Sequence, residues 1–142
     1  MSAEEIKALS RQWVEESNKG KAAALAFIEE SWAADVVMHS AFGENRGLEN
    51  GKRLLSGTYD AFPDIHFTLD DVIVEGDKAV LRYTFTCTHK GVLMGIPPTN
   101  KKITGWELEI DRFEGGKLVE YWSRFDTLGF MQQLGVIPTP KK

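Results

Sequence analysis

Two periodicities divide this chain, and the division limits its fold more than any other feature. Up to residue 62 apolar residues recur at helical spacing, and from residue 67 to residue 125 they alternate with polar ones as on strands. Over 3–19, Ile6, Leu9 and Trp13 share one stripe, and Gly20 after Lys19 supplies a stop. A second helix is expected over 21–30, where alanines surround Leu25 and Ile28, and a third over 48–62, ended by Pro63. Val36, Val37 and Met38 suit a short strand. Longer strands are expected at 67–75, 79–89, 103–113 and 117–125. Glu75-Gly76-Asp77, a loop holding Gly91, Gly95 and Pro97-Pro98, and Gly115-Gly116 separate them. A short helix over 127–134 closes at Gly135. Helices set apart from antiparallel strands argue an α+β fold, with three N-terminal helices on one face of a curved sheet and a pocket between the layers. No repeat or linker interrupts residues 1–142, so one domain is expected.

Composition narrows the function classes. The chain has 142 residues, 42% of them apolar and 27% charged, which suits one sizeable core. Its 17 basic and 21 acidic residues leave a net charge of −4 with no basic block, so nucleic acid is not an expected partner. No apolar run reaches the ~18–20 residues of a membrane span. The acidic start, Met1 to Glu5, is unlike a signal peptide, and one cysteine, Cys87, cannot form an internal disulfide; the expected compartment is the cytoplasm. The 11% aromatic content fits a deep core or a pocket for a flat ligand.

Candidate site residues follow from strand parity. Over 79–89, Ala79, Leu81, Tyr83, Phe85 and Cys87 face one way, which makes Tyr83 and Phe85 pocket candidates. Over 103–113, Trp106, Leu108 and Ile110 oppose Glu107, Glu109 and Asp111; the apolar set is expected inside, and Arg112 shares its parity. Arg112 then either steadies an oxyanion or makes a salt bridge at the hairpin rim. Glu120, Trp122, Arg124 and Asp126 share one parity, so an inward Trp122 brings Asp126 inward too. A carboxylate in an apolar cavity is a good general base. Asp126 also stands where an N-cap for the last helix is wanted, although Gly129 leaves no capping box. Both readings stay open.

His39 and His89 are candidates for polar pocket positions or for buried structural histidines, and His66 is expected at the surface. No His or Cys spacing of a metal site is present, nor any Walker, GxGxxG or GxSxG motif. Cys87, among apolar neighbours, is expected to be inert.

A set of short segments carries a resemblance. Ala61-Phe62-Pro63-Asp64, Glu75-Gly76-Asp77-Lys78, Thr88-His89-Lys90-Gly91 and Gly95-Ile96-Pro97-Pro98-Thr99 come in order. Arg112-Phe113, Gly116-Lys117-Leu118-Val119-Glu120, Trp122, Asp126 and Gln133-Leu134-Gly135 continue it. Over about residues 20–138 the chain resembles the SnoaL-like polyketide cyclases. The resemblance implies the nuclear transport factor 2-like cone, a cystatin-like roll, and an intramolecular aldol ring closure without metal or cofactor. It also implies Asp126 as acid/base, a small hydrophobic or aromatic carbonyl substrate and a homodimer. Where it implies a histidine near Asp126, this chain has Arg112.

Two function classes remain: a metal-free acid/base enzyme, or a non-catalytic module holding a lipophilic ligand. Isomerase or epoxide-hydrolase chemistry on the same cone stands beside aldol closure. Tyr121 and Phe125, opposite Trp122, are expected either to meet a second copy or to pack under the helices.

Overall fold

A computed structural model describes residues 1–140. Three helices come first, α1 (Ala3–Lys19), α2 (Lys21–Ser31) and α3 (Leu48–Ala61), with β1 (Trp32–Ser40) and β2 (Gly43–Arg46) between the last two. Then follow β3 (His66–Glu75), β4 (Lys78–Thr88), β5 (Lys102–Glu114), β6 (Lys117–Phe125) and α4 (Thr127–Leu134). The α+β fold is as expected. The short strand expected at 36–38 is nine residues long, and its hairpin partner β2 was not anticipated.

Local chemistry sets the helix ends. Ser2 caps α1, accepting from the Glu5 backbone while the Glu5 side chain accepts from the Ser2 backbone. Gly20 takes φ 119°, a left-handed-side conformation in which β-carbons are strained, and so breaks α1 from α2.

The six strands form one mixed sheet in the order β2-β1-β6-β5-β4-β3, antiparallel except where β1 runs parallel to β6. α1 lies over β3, and α3 over β1. Two apolar clusters sit between sheet and helices. One gathers Ile6, Val14, Val36, Met38, Leu81, Tyr83 and Phe113; the other gathers Phe62, Phe85, Cys87, Ile103, Phe130 and Leu134. No helix among the described residues is long and apolar enough to cross a membrane.

Register decides which side chains look inward. Tyr83 stands opposite Glu107, Leu81 opposite Glu109 and Ala79 opposite Asp111, and opposed residues share a face. Glu107, Glu109 and Asp111 therefore point toward the helices, whereas Trp106, Leu108 and Ile110 point away and are 48%, 45% and 40% exposed. This reverses the expected faces of β5. Between the pairs Phe113–Leu118 and Arg112–Glu120, β6 spends one extra residue, Val119. That bulge re-aims the rest of β6. Tyr121, Ser123 and Phe125 turn inward opposite Asp111, Glu109 and Glu107, and Trp122 turns outward with Ile110. The expectation that Tyr121 and Phe125 face away from Trp122 holds, but they are the inward pair.

The segment 90–101 is tied to the fold at both ends. The Lys90 and Gly91 amides donate to the Ala61 carbonyl at 2.9 and 3.1 Å, and the Asn100 amide donates to His89 at 2.9 Å. A β-carbon on Gly91 would stand 2.0 Å from the Asp60 carbonyl oxygen. Gly91→Ala is expected to lower stability by about 1–3 kcal/mol, since backbone must shift to admit it; urea denaturation measures it, and an unchanged midpoint contradicts the close approach.

Candidate active site

Between sheet and helices lies a cavity of about 260 Å³, just below the ~300–1,000 Å³ usual for ligand pockets. Its walls are mostly apolar: Trp13, Trp32, Met38, Phe62, Ile65, Phe67, Phe85, Phe125 and Phe130, with Phe42, Leu54 and Leu93 from the β1–β2 turn, α3 and the 90–101 segment. The Phe85 ring lies across Gly105, where a β-carbon would come within 2.4 Å of it. Phe125 and Phe130 meet edge to face at 5.3 Å. The polar groups are few: Ser40, Thr58, Tyr83, Cys87, Glu107, Glu109, Tyr121 and Ser123. Among the described residues, no Lys, Arg or His lines it.

An apolar cavity with carboxyls and no cation disfavours ionisation. Burial pushes Glu107 up to about 8, the neighbouring Glu109 charge adds to this, and a hydrogen bond from the Ser123 hydroxyl opposes it. Glu109 is driven well above the usual carboxylate range by burial, by the Asp111 charge and by its hydrogen bond to Asp111. Asp111 rises to about 6, mainly through burial, while the bond from Glu109 holds it down. At neutral pH Glu109 thus keeps its proton and donates it toward an ionised Asp111. Tyr83 and Tyr121 are pushed up, first by burial and then by the three acids, and stay neutral. The Tyr83 hydroxyl is buried without a partner. Burial raises the Cys87 thiol to about 12, so it is inert as expected.

Of the site residues read from the sequence, Tyr83 and Phe85 line the cavity. Asp126 does not. It is exposed and caps α4, accepting from the Gly129 amide at 3.0 Å. The glycine counted against a cap is what admits it, because a β-carbon there would lie 2.2 Å from the Asp126 carboxylate. Arg112 makes the rim salt bridge, 3.1 Å from Glu120 and 3.6 Å from Glu114, on the outer face. Trp106 and Trp122 are on that face too. Trp122 stacks on His39 with ring centroids 5.3 Å apart, and His39 bonds Glu120 at 2.7 Å. The bond from His39, reinforced by Arg112, holds the Glu120 carboxyl below its usual value. His89 is fully buried but takes no part in the cavity; its Nδ1 accepts from the Thr99 amide at 3.2 Å and anchors the 90–101 segment. Among the described residues, no three His, Cys, Asp or Glu side chains converge as metal ligands do.

The acids Glu107, Glu109 and Asp111 and the hydroxyl of Ser123 were missed. Their signal was present as three carboxylates at alternate positions of one long strand. Polar character argued them outward, and only the register with Tyr83 overturns that.

These raised values have a stability consequence. An unfolded glutamate releases its proton near 4.3, whereas folded Glu107 does so near 8. Between those values the folded state holds more protons, so stability falls as pH rises, by up to about 1.4 kcal/mol per pH unit per group. Urea denaturation is expected to show lower stability at about pH 8 than at about pH 5, and Glu107→Gln is expected to shrink the difference. An undiminished difference in the variant contradicts a protonated Glu107.

The family model described as SnoaL-like polyketide cyclase matches residues 8–134. AclR of Streptomyces galilaeus, provisionally assigned as a hydroxylase, is 32% identical with a TM-score of 0.86, covering 99% of this chain and 87% of its own. IdmH of Streptomyces antibioticus, provisionally assigned as a polyketide cyclase, is 26% identical with a TM-score of 0.71, covering 94% and 98%. A SnoaL-like protein of Jannaschia, 17% identical, has the same fold with a TM-score of 0.88, covering 97% and 98%. No curated protein matches the chain.

Proposed function

The chain belongs to the SnoaL-like polyketide cyclase family, and from that premise we propose that it closes a ring in a compact hydrophobic carbonyl compound by acid/base chemistry at Glu107. The observation carrying this reading is a carboxyl with a value of about 8 in a cavity of aromatic walls. At neutral pH Glu107 is mostly protonated, and its ionised form is a strong carboxylate base. Its carboxylate takes a proton from a carbon flanked by carbonyls. The enolate carbon bonds to a nearby carbonyl carbon, and the alkoxide so formed takes the proton back from Glu107. Atoms and charge balance with one acid/base group. Holding both carbons in one cavity supplies an effective molarity of up to ~10⁵ M or more. The step asks for no metal or cofactor. Asp126, capping α4 at the surface, is left out of this scheme.

Glu107→Gln is expected to lower kcat/KM on β-dicarbonyl polyketide-like substrates by about 10²-fold or more. Asp126→Asn is expected to stay within about threefold and to keep its stability, since Asn caps a helix about as well as Asp. An inactive Asp126→Asn beside an active Glu107→Gln returns the role to Asp126.

The 32% identity with AclR favours a second reading, hydroxylation of a similar substrate. Product mass separates them: ring closure keeps the mass or loses water, and hydroxylation, with dioxygen and an external two-electron reductant as co-reactants, adds an oxygen.

The homodimer belongs to this proposal too, through the outer face. Ile73, Val80, Ile110, Trp122 and His39 stand in one row across five strands, beside Leu108 and Trp106. Exposed apolar area of this kind favours a self-complementary contact. Leu108→Glu is expected to give monomers in sedimentation while the wild type sediments as a dimer; a monomeric wild type removes the dimer.

A further inference from the structure

A second, smaller cavity adjoins the first beneath the acids. It measures about 20 Å³, has room for one water, and is bounded by Ser10, Trp13, Ser31, Trp32, Glu109 and Asp111. Asp111 is 6% exposed, and its Oδ1 has no hydrogen-bond partner. At the other end of the same strand face, Glu107 opens on the large cavity opposite the unpartnered Tyr83 hydroxyl. Glu109 borders both cavities. Ser123, 7% exposed, is the register partner of Glu109, and its hydroxyl lies close enough to the Glu107 carboxyl to lower its proton affinity. A hydroxyl therefore stands beside the interval between the glutamates.

We propose that Glu107, Ser123, Glu109 and Asp111 form one proton-sharing row, along which a single negative charge passes from Asp111 to Glu107 with no proton exchanged with solvent. This rests on reading Glu107 as the carboxyl that meets substrate. At rest the row holds two protons, on Glu107 and Glu109, and one charge, on Asp111. To arm the base, Glu109 gives its proton to Asp111. Glu107 then gives its own to the Ser123 oxygen, and the Ser123 hydroxyl proton goes to Glu109. Two protons and one charge remain, but the charge now faces the cavity. Glu107 is the catalytic residue; Asp111 acts through Glu109 as a positioning residue.

The surroundings suit such a row. The titratable groups facing it are Tyr83 from β4 and Tyr121 from β6, both held neutral, and α1 and α2 present Ser10, Trp13 and Ser31. Among the described residues, no cation lines either cavity to pin the charge at one end.

The test uses the ligand-free protein, with ¹³C-labelled carboxyls followed by NMR across pH. In Asp111→Asn the first ionisation of the row meets no charge already present. The Glu107 midpoint is expected to fall by about one pH unit or more, a tenfold change in proton affinity. Reciprocally, Glu107→Gln is expected to lower the Asp111 midpoint, and Asp111→Glu to restore the Glu107 value. A Glu107 midpoint unmoved in folded Asp111→Asn overturns the row; should that variant fail to fold, an Asp111 midpoint unmoved in Glu107→Gln does so. Because no substrate is present, a coupled row in a protein that closes no ring removes the cyclase reading alone. An active cyclase with independent carboxyls removes the row alone.

Discussion

The extra residue that β6 spends at Val119 governs everything on the inner face. Up to the pair Phe113–Leu118 the β5–β6 hairpin runs in simple register from its Gly115-Gly116 turn. Continued without the bulge, that register sets Glu109 opposite Trp122 and Asp111 opposite Glu120, which places a fourth acid and an indole among the carboxyls. With it, Ser123 stands opposite Glu109, and Tyr121 opposite Asp111. The inward acids thereby gain a hydroxyl, a phenol and aromatic cover, while Glu120 is sent outward to His39 and Arg112. One residue of slippage exchanges both faces of a strand, because side chains alternate with period two.

The inner face that results is electrostatically unusual, since three acids share it with no cation among the described residues. Fully ionised, they would pay both desolvation and mutual repulsion. Keeping two of the three protonated removes most of that cost, and each neutral carboxyl becomes a hydrogen-bond donor as well as an acceptor. The cavity is therefore a reservoir of protons lined with aromatic rings. The outer face carries the reverse chemistry, with Trp106, Leu108 and Ile110 toward solvent and ion pairs at its edges.

Much of this was legible in the sequence. The helix over 3–19, its stop at Gly20, the four long strands and the final helix all follow from periodicity and turn chemistry, because those signals are local. Strand parity was legible as well: Glu120, Trp122 and Arg124 do share a side. What one chain could not reveal was which side, since this depends on pairing between strands and on a bulge at Val119, a residue with no local mark. The rule that apolar residues face inward then misled on β5, where the register with Tyr83, Leu81 and Ala79 inverts it. Asp126 shows the same limit. Its place before α4 signalled a cap, and its parity signalled a base only as long as Trp122 was inward.

The absence of a cation among the described residues lining the cavity also restricts how a reaction there can be helped. A developing oxyanion meets no positive side chain among them and is stabilised by neutral donors, among them protonated Glu107, Ser123 and the unpartnered Tyr83 hydroxyl. A neutral donor of matched proton affinity can do more than hydrogen-bond, because it can transfer its proton outright as charge builds on the oxygen. That favours reactions whose proton leaves carbon and returns to oxygen within one turnover, as in aldol closure, over reactions that must hold a lasting anion. The same reasoning explains the value of three acids in place of one. A lone carboxyl buried this deeply is either protonated and a poor base, or ionised and unstable. In the proposed row the charge is always present and only its position changes, so the group facing substrate would be neutral while the ligand enters and ionised when a carbon–hydrogen bond breaks.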